Sequence, residues 1–173
     1  MNQATKCRAI ELIVSDVDGV LTDGGIIYDN QAIESKKFHI RDGLGIRLWQ
    51  RAGGRFGILT GRNSHVVEMR AAELGVQIVR QGIEDKLPAV REIAASLDLD
   101  AAQICYIGDD LPDLPVVRYA GFGVAVADAC AELRDAADFV TALAGGRGAV
   151  RETIQFVLEA QGRWSDLVDS YSG

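Results

Sequence analysis

The feature that most constrains the fold is the regular alternation of short apolar runs with segments of helical periodicity. Runs at residues 10–14, 55–59, 76–79, 104–107, 122–126 and 139–140 predict strands. Helices are predicted between and after them, with Asp42 as the first N-cap, at residues 43–52, 63–74, 84–97, 114–120, 129–136 and 149–161. Strands that alternate with helices favour a parallel sheet covered on both faces. The sequence therefore predicts an α/β fold built on a doubly wound, Rossmann-like parallel sheet.

One stretch directly after the first strand departs from this alternation. Residues 24–39 contain two short extended segments around Asp29-Asn30 and predict a β-hairpin. Four of its apolar side chains favour burial against another surface: Ile26, Ile27, Tyr28 and Phe38. The remaining connections leave no room for a cap domain. We therefore expect a single domain over residues 1–173, ending in a loop, a helix and a tail at 145–173.

Charge and composition argue against several kinds of partner. The net charge is −7, from 18 basic and 25 acidic residues, which disfavours a nucleic-acid-binding surface. No apolar run approaches the ~20 residues that cross a bilayer, so no membrane segment is expected. Residues 1–6 lack the apolar core of a signal peptide, which predicts a cytoplasmic protein. The widely spaced Cys7, Cys105 and Cys130 are expected to be reduced, with Cys105 in the core.

Polar side chains follow several of the predicted strands. Right-handed crossovers place every strand-to-helix turn along the same edge of the sheet, where ligands bind in folds of this kind. Six side chains should meet there: Asp16, Asp18, Thr60, Arg62, Asp109 and Asp110. Carboxylates two residues apart in an extended segment face the same side, and they repel unless a cation lies between them or one is protonated. A bound Mg²⁺ is the natural hypothesis.

These residues suit phosphoryl transfer through a covalent intermediate. Asp16 can attack phosphorus to give an aspartyl-phosphate. Asp18 can protonate the departing oxygen and later remove a proton from the hydrolytic water. Attack on an anionic phosphate needs positive charge and fixed donors, which Mg²⁺ shared by Asp16 and Asp109, the Thr60 hydroxyl and Lys86 would supply.

Each residue also has an interpretation without catalysis. The Asp-Gly pair after the first strand is a common turn, and Thr60 could hydrogen-bond its own turn. Lys86 could be a solvated surface lysine, although a cation in a first helical turn opposes the helix dipole. Asp109 and Asp110 could cap the next helix. Their joint occurrence at strand ends in this order is far more specific than any one of them.

In these residues the sequence resembles the haloacid dehalogenase superfamily of phosphohydrolases. The motifs map in chain order to Asp16-Val17-Asp18-Gly19, Thr60-Gly61-Arg62, Lys86, and Gly108-Asp109-Asp110 with Asp113. The resemblance implies that Asp16 and Asp109 bind Mg²⁺ through their carboxylates and that Asp18 binds it through its backbone carbonyl. It also implies that Asp110 and Asp113 support these ligands.

More narrowly, the chain resembles the capless branch that hydrolyses 3-deoxy-D-manno-octulosonate 8-phosphate in lipopolysaccharide precursor synthesis. The added resemblance lies in residues 16–24, the hairpin, residues 38–43 and residues 145–152. It implies a homotetramer in which hairpins pair between subunits and a neighbour's C-terminal segment helps to close the site. The substrate contacts it implies are Asp18, His39, Ile40, Arg41, Asp42, Gly43, Arg47, Gly61, Arg62, Arg70, Lys86 and Arg147.

Three other functions stay open from the sequence. The substrate could be a nine-carbon sialic-type sugar-acid 9-phosphate, and Leu44 stands where the eight-carbon branch often carries an aromatic residue. A receiver domain would also combine clustered Asp, Thr and Lys around Mg²⁺, but it carries its phosphorylated Asp after the third strand, where residues 76–79 end without one. The third is a catalytically silent sugar-acid-binding module or a partner of a nucleotidyltransferase.

Overall fold

A central sheet flanked by helices organises residues 2–171, which are the residues that the computed structural model describes. The helices are α1 (Gln3–Cys7), α2 (Ile40–Arg51), α3 (His65–Leu74), α4 (Lys86–Ser96), α5 (Leu114–Tyr119), α6 (Ala131–Ala136), α7 (Ala149–Ala160) and α8 (Trp164–Asp169). The strands are β1 (Leu12–Ser15), β2 (Ile27–Tyr28), β3 (Glu34–Ser35), β4 (Arg55–Leu59), β5 (Ile78–Arg80), β6 (Ile104–Gly108), β7 (Phe122–Ala125) and β8 (Phe139–Val140). Two 3-10 helices, Ala101–Gln103 and Leu111–Asp113, complete the assignment.

The main sheet has six parallel strands in the order β5-β4-β1-β6-β7-β8. All residues of β1 are buried, as expected for a central strand covered on both faces. The chain leaves β1 toward β4 on one side and later returns to β6 on the other, so the strand order reverses at β1. This reversal is where doubly wound sheets bind ligands. The predicted α/β fold is confirmed, and Asp16, Thr60 and Asp109 follow three adjacent strands.

The hairpin forms as predicted but lies apart from the main sheet. Strands β2 and β3 pair antiparallel with Ile27 opposite Ser35, as a separate two-stranded sheet. Phe38 packs against the core, whereas Ile26, Ile27 and Tyr28 remain 50–55% exposed. Within one chain the expected burial is therefore correct only for Phe38, because the hairpin extends away from the sheet. Between the strands of the main sheet, the described residues include no cap domain beyond this hairpin.

The prediction that Asp42 caps the helix after the hairpin is wrong. Helix α2 begins earlier, and its N-cap is His39, whose side chain accepts a hydrogen bond from the Arg41 backbone N–H at 3.2 Å. Asp42 lies in the first turn and is only 1% exposed. Its Oδ1 accepts from the Arg151 backbone N–H at 2.8 Å. Asp42 thus caps α7. The N-cap residue of α7 is Gly148, which has no side chain that could accept such a hydrogen bond.

Two helices near the ends of the chain were not predicted. Helix α1 is anchored by an ion pair between Lys6 Nζ and Asp138 Oδ1 at 2.5 Å. Helix α8 lies within the predicted tail and contacts α7 through Trp164, whose ring centroid is 4.8 Å from Arg151 Cζ. Residues 1, 172 and 173 of the predicted domain lie outside the described residues. Within residues 2–171, every helix is too short or too polar to cross a bilayer.

Candidate active site

A cleft of about 340 Å³ opens where β1, β4 and β6 end. It collects residues from four segments that are distant in sequence, as the parallel topology requires. The lining consists of Asp16, Asp18, Thr60, Gly61, Arg62, Ile83, Glu84, Lys86, Asp109, Asp110, Pro112 and Asp113. The six side chains that were expected to meet at this edge of the sheet all belong to it.

Asp16 lies at the floor of the cleft and is 8% exposed. Its Oδ1 accepts from the Val17 backbone N–H at 2.6 Å, and its Oδ2 lies 2.7 Å from Lys86 Nζ. Burial, together with the charge of Asp113, raises the pKa of Asp16 to about 6, although Lys86 opposes the shift. These two contacts fix the orientation of the Asp16 carboxylate, while burial and the charge of Asp113 make its ionised form unfavourable.

Lys86 begins α4 and is 4% exposed. Its ammonium lies between two carboxylates, 2.7 Å from Asp16 Oδ2 and 2.6 Å from Asp113 Oδ1. Burial lowers the pKa of Lys86, but the charges of Asp16 and Asp113 outweigh it and raise that pKa above its usual value. Lys86 is therefore a permanent buried cation and not a solvated surface lysine.

Asp113 is 1% exposed, and both of its carboxylate oxygens are engaged by the protein. Oδ1 accepts from Lys86 Nζ and from the Tyr106 hydroxyl, each at 2.6 Å. Oδ2 accepts from the backbone N–H groups of Asp109 at 3.0 Å and Asp110 at 3.4 Å. Asp113 therefore orients its neighbours. Asp110 is exposed and caps the 3-10 helix Leu111–Asp113, accepting from the Leu111 N–H at 2.8 Å.

Asp109 completes a group of three carboxylates. Ligand oxygens of Asp16, Asp109 and Asp113 all lie within 4.8 Å of one another. Burial and the charges of Asp113 and Asp16 raise the pKa of Asp109 to about 8. Hard oxygen donors that repel one another at this separation fit a small divalent cation, which would offset their charge. Asp113 already accepts from four donors and Asp16 from two, so Asp109 and Asp16 are the carboxylates more available to such an ion.

Asp18 lines the same cleft but lies outside this group of three carboxylates. Its Oδ1 forms an ion pair with Lys36 Nζ, a residue of the hairpin whose side chain is 1% exposed. Lys36 was not among the residues predicted from the sequence. A signal was available, because residues 34 and 36 of an extended segment face the same side, and the cleft needs cations.

A second group that the sequence analysis missed connects the hairpin to the loop after β4. Glu34 Oε1 accepts from Arg62 Nη2 at 2.8 Å, and Glu34 Oε2 accepts from the Ser64 hydroxyl. Arg62 Nη2 also donates to the Tyr28 hydroxyl at 2.8 Å. Arg62 Nη1 is buried and has no hydrogen-bond partner among the described residues. Arg62 nevertheless lines the cleft, and its side chain is 34% exposed.

The other predicted substrate residues differ in how free they are. Thr60 is 2% exposed and its Oγ1 accepts from the Arg62 backbone N–H at 3.5 Å. Arg41 and Arg147 are exposed, and Ile40 is 80% exposed. Gly43 is buried.

Two predicted arginines and Asp42 already have partners within the chain. Arg47 Nη2 donates to the Glu73 carbonyl at 2.9 Å, and Arg70 Nη1 lies 2.8 Å from Glu73 Oε2. Arg70 also lies over the Phe38 ring, 5.7 Å from its centroid. Asp42 is engaged at the start of α7, as described above. None of these three lines the cleft between β1, β4 and β6 in the described part of the chain.

Comparison with known proteins agrees with this geometry. The sequence model of the haloacid dehalogenase-like hydrolases matches residues 75–151, which include Lys86 and Asp109. The 3-deoxy-D-manno-octulosonate 8-phosphate phosphatase KdsC of Salmonella typhi is 45% identical over 159 residues, covering 92% of this chain and 85% of the relative.

Solved structures give the same result. The 3-deoxy-D-manno-octulosonate 8-phosphate phosphatase of Moraxella catarrhalis, in complex with magnesium ion, phosphate ion and KDO, is 41% identical with a TM-score of 0.96, covering 98% of this chain and 97% of that one. The cobalt-bound deoxy-D-mannose-octulosonate 8-phosphate phosphatase of Haemophilus influenzae is 40% identical with a TM-score of 0.90, covering 92% and 94%. This chain belongs to the 3-deoxy-D-manno-octulosonate 8-phosphate phosphatase family of the haloacid dehalogenase-like hydrolases.

Proposed function

We propose that this protein is a Mg²⁺-dependent phosphatase that hydrolyses 3-deoxy-D-manno-octulosonate 8-phosphate to the free sugar acid and phosphate, in lipopolysaccharide precursor synthesis. The observation that carries the proposal is the buried Asp16, whose carboxylate lies 2.7 Å from Lys86 and beside Asp109. The relatives of this chain are named for the same activity. Asp18 stands two residues from Asp16 with its carboxylate oriented by Lys36. The whole described chain acts as one phosphatase domain.

Mg²⁺ would be held by the carboxylates of Asp16 and Asp109 and by the backbone carbonyl of Asp18. The raised pKa values of Asp16, about 6, and Asp109, about 8, support this, because carboxylates destabilised by burial and mutual repulsion gain most from a divalent cation. When bound, Mg²⁺ supplies the positive charge that allows an anion to approach the phosphate. A Mg²⁺ ion also accompanies phosphate and KDO in the Moraxella catarrhalis relative.

The reaction proceeds in two displacements at phosphorus. A carboxylate oxygen of Asp16 attacks, the bond between phosphorus and the sugar oxygen breaks, and the protonated form of Asp18 donates its proton to that oxygen. The product of this step is an aspartyl-phosphate on Asp16. Water then attacks phosphorus while Asp18 accepts its proton, and the bond to Asp16 breaks to release phosphate.

Lys86, Thr60 and Gly61 surround the position of the phosphate. The buried Lys86 ammonium provides charge, and the Thr60 hydroxyl and the Gly61 backbone provide donors in the cleft. Asp113 and Asp110 act on the reaction only through others, since Asp113 holds Lys86 at 2.6 Å and the Asp109 backbone at 3.0 Å. These supports keep the charged groups in place before the substrate arrives.

Arg62 is the best supported contact to the sugar acid, because it lines the cleft and its side chain is 34% exposed. A guanidinium binds a carboxylate with directional hydrogen bonds. Arg41, Arg147, His39, Ile40 and Gly43 stay proposed substrate contacts, although among residues 2–171 they lie outside the lining of this cleft and Gly43 is buried. Asp42, Arg47 and Arg70 would have to exchange the partners they have in this chain before contacting substrate.

We also propose a cytoplasmic homotetramer in which hairpins pair between subunits. The support is the exposed apolar surface of the hairpin, where Ile26, Ile27, Tyr28 and Ile33 are 50–57% exposed. Cysteines that are all unpaired fit a reducing compartment. The proposed closure of the site by a neighbour's C-terminal segment would involve residues beyond Leu167, which is itself buried within its own chain. Light scattering on the purified protein tests the tetramer.

Phosphate release from the purified protein tests the function. The assay compares 3-deoxy-D-manno-octulosonate 8-phosphate with a nine-carbon sialic-type 9-phosphate, each with Mg²⁺ and with EDTA. We expect Mg²⁺-dependent release and preference for the eight-carbon substrate. Preference for the nine-carbon substrate would keep the mechanism and change the substrate. Absence of release from both would overturn the proposal in favour of a non-catalytic sugar-acid-binding role.

A further inference from the structure

The hairpin contributes a buried cation to the active site that the motifs of the sequence do not include. Lys36 follows β3, and its side chain is 1% exposed. Among the described residues its ammonium has two carboxylate partners, Asp18 Oδ1 in a direct ion pair and Glu34 Oε1 at 3.5 Å. Asp16 and Asp18 therefore each have a buried lysine of their own, Lys86 and Lys36 respectively.

Lys37, the next residue, has a different environment. Its side chain is 61% exposed, and its ammonium lies 2.9 Å from Asp23 Oδ2 at the surface. An exposed pair of this kind contributes little to stability, whereas a buried ammonium is costly unless it is well paired. A buried ion pair is also weak evidence for a role in stability. The burial of Lys36 against Asp18 therefore indicates that Lys36 orients Asp18 rather than stabilising the fold.

Glu34 fixes the position of Lys36 relative to the rest of the cleft. Its carboxylate binds Lys36, Arg62 and Ser64 together, so the hairpin and the loop after β4 form one polar network. The hydrogen bond from Ser64, aided by the charges of Lys36 and Arg62 and opposed by burial, lowers the pKa of Glu34. Glu34 is therefore an anion at neutral pH and a constant partner for Lys36.

The contacts of the Asp18 carboxylate explain why it needs such a support. It does not belong to the group of Asp16, Asp109 and Asp113, whose oxygens lie within 4.8 Å of one another. Its side chain is 19% exposed, and Lys36 is its ion-pair partner among residues 2–171. Without Lys36, the Asp18 carboxylate would be free to change rotamer at the edge of the cleft.

We propose that Lys36 is a positioning residue that holds Asp18 through Oδ1, so that the other carboxylate oxygen, Oδ2, can transfer a proton to the leaving oxygen of the substrate, with Glu34 holding Lys36 in turn. This inference rests on the proposed phosphatase function. It assigns to the hairpin a part in catalysis within its own subunit. The reaction itself is unchanged, since Asp18 remains the group that donates and accepts the proton.

The decisive readout is the dependence on the leaving group. A sugar oxygen must be protonated as it departs, whereas p-nitrophenolate leaves without a proton. The value of kcat/KM covers the steps through the formation of the aspartyl-phosphate, so it isolates this proton transfer. General acid catalysis contributes about 10²–10⁴-fold. We expect Lys36→Met to lower kcat/KM by about 10²-fold for the sugar-acid phosphate and by less than about threefold for p-nitrophenyl phosphate.

Three comparisons complete the experiment on the full-length protein. Lys37→Met, the matched control on the adjacent lysine, should leave both values unchanged. Lys36→Arg keeps the cation and should recover most of the loss. Glu34→Gln should give a smaller loss with the same leaving-group dependence. It replaces Lys36→Met as the test variant if thermal unfolding shows that Lys36→Met is not folded.

A double-mutant cycle separates positioning from direct binding of the sugar. If Lys36 acts through Asp18, Lys36→Met should lower kcat/KM no further in an Asp18→Asn background. Equal losses on both substrates, unchanged activity, or losses that add to that of Asp18→Asn would each overturn the inference. Failure of the proposed function is a separate result, because the wild-type protein would then not hydrolyse the sugar-acid phosphate. The Lys36 comparison would then use glycerol phosphate as the unactivated substrate.

Discussion

Replacing the nucleophile should make the metal-free protein more stable. The folded-state pKa of Asp16 is raised from 3.8 to about 6 by burial and by Asp113, against the effect of Lys86. The stability that the folded protein has while Asp16 is protonated is therefore fully present below pH ~4 and is lost as the pH rises through about 6. Since one pKa unit corresponds to about 1.4 kcal/mol, ionised Asp16 lowers the free energy of unfolding by about 3 kcal/mol at pH ~8. Asp16→Asn removes this cost and also removes the nucleophile.

Thermal unfolding in EDTA measures the gain. For a chain of this size we expect Tm to rise by about 6–12 °C at pH ~8 and to be unchanged at pH ~3.5. Turnover should fall by at least about 10⁴-fold, given what the loss of a nucleophile costs other enzymes. Asp135→Asn, at an exposed position of α6, is the control and should change neither property. A lower Tm for Asp16→Asn at pH ~8, or substantial turnover, would refute the reasoning.

Asp42→Ala removes the acceptor for the Arg151 N–H at a position that is 1% exposed, and we expect urea unfolding to show a loss of about 2 kcal/mol. Asp42→Asn should retain most of this stability, and a loss below about 0.5 kcal/mol for Asp42→Ala would argue against the cap. Gly19→Ala would place a Cβ 2.0 Å from Asp109 Oδ2 at a φ of +88°, so Mg²⁺ affinity by calorimetry should fall at least about tenfold. Affinity equal to that of the wild type would contradict this contact. In EDTA, the Tm of the wild type should fall between pH ~4 and pH ~8. The pKa of Asp109 is raised to about 8, so the folded protein loses stability as this carboxyl is forced to ionise. Mg²⁺ should restore it, and a Tm that is flat over this range would show that Asp109 is not destabilised.

The parts of the site that follow strands could be predicted from sequence, because one rule of topology determines them. Asp16, Thr60 and Asp109 follow apolar runs, and parallel strands place their carboxyl ends at one edge. The position of Lys86 in the first turn of its helix was also predicted. These residues need only local pattern and chain direction to be located.

The supporting contacts depend on tertiary packing that no local pattern encodes. Asp42 and Arg151 are 109 residues apart, so a residue that looks like the cap of its own helix caps another one. Lys36 and Lys37 have the same side chain and adjacent positions, and only the orientation of the hairpin buries one of them on Asp18. Helix α8 has no strong sequence signal and forms where Leu167 is buried. Such contacts form only when segments distant in sequence pack together in the folded chain.

The contact between residues 145–146 and the loop after β1 means that the catalytic loop is completed only when a segment distant in sequence folds against it. Gly146 N–H donates to the Val20 carbonyl at 2.8 Å, and a Cβ at Gly145 would lie 1.7 Å from the Gly19 carbonyl oxygen. The nucleophile is therefore synthesised well before the segment on which its loop rests. A nascent chain that already contains Asp16 cannot hold the catalytic loop in place until residues 145–146 have also emerged.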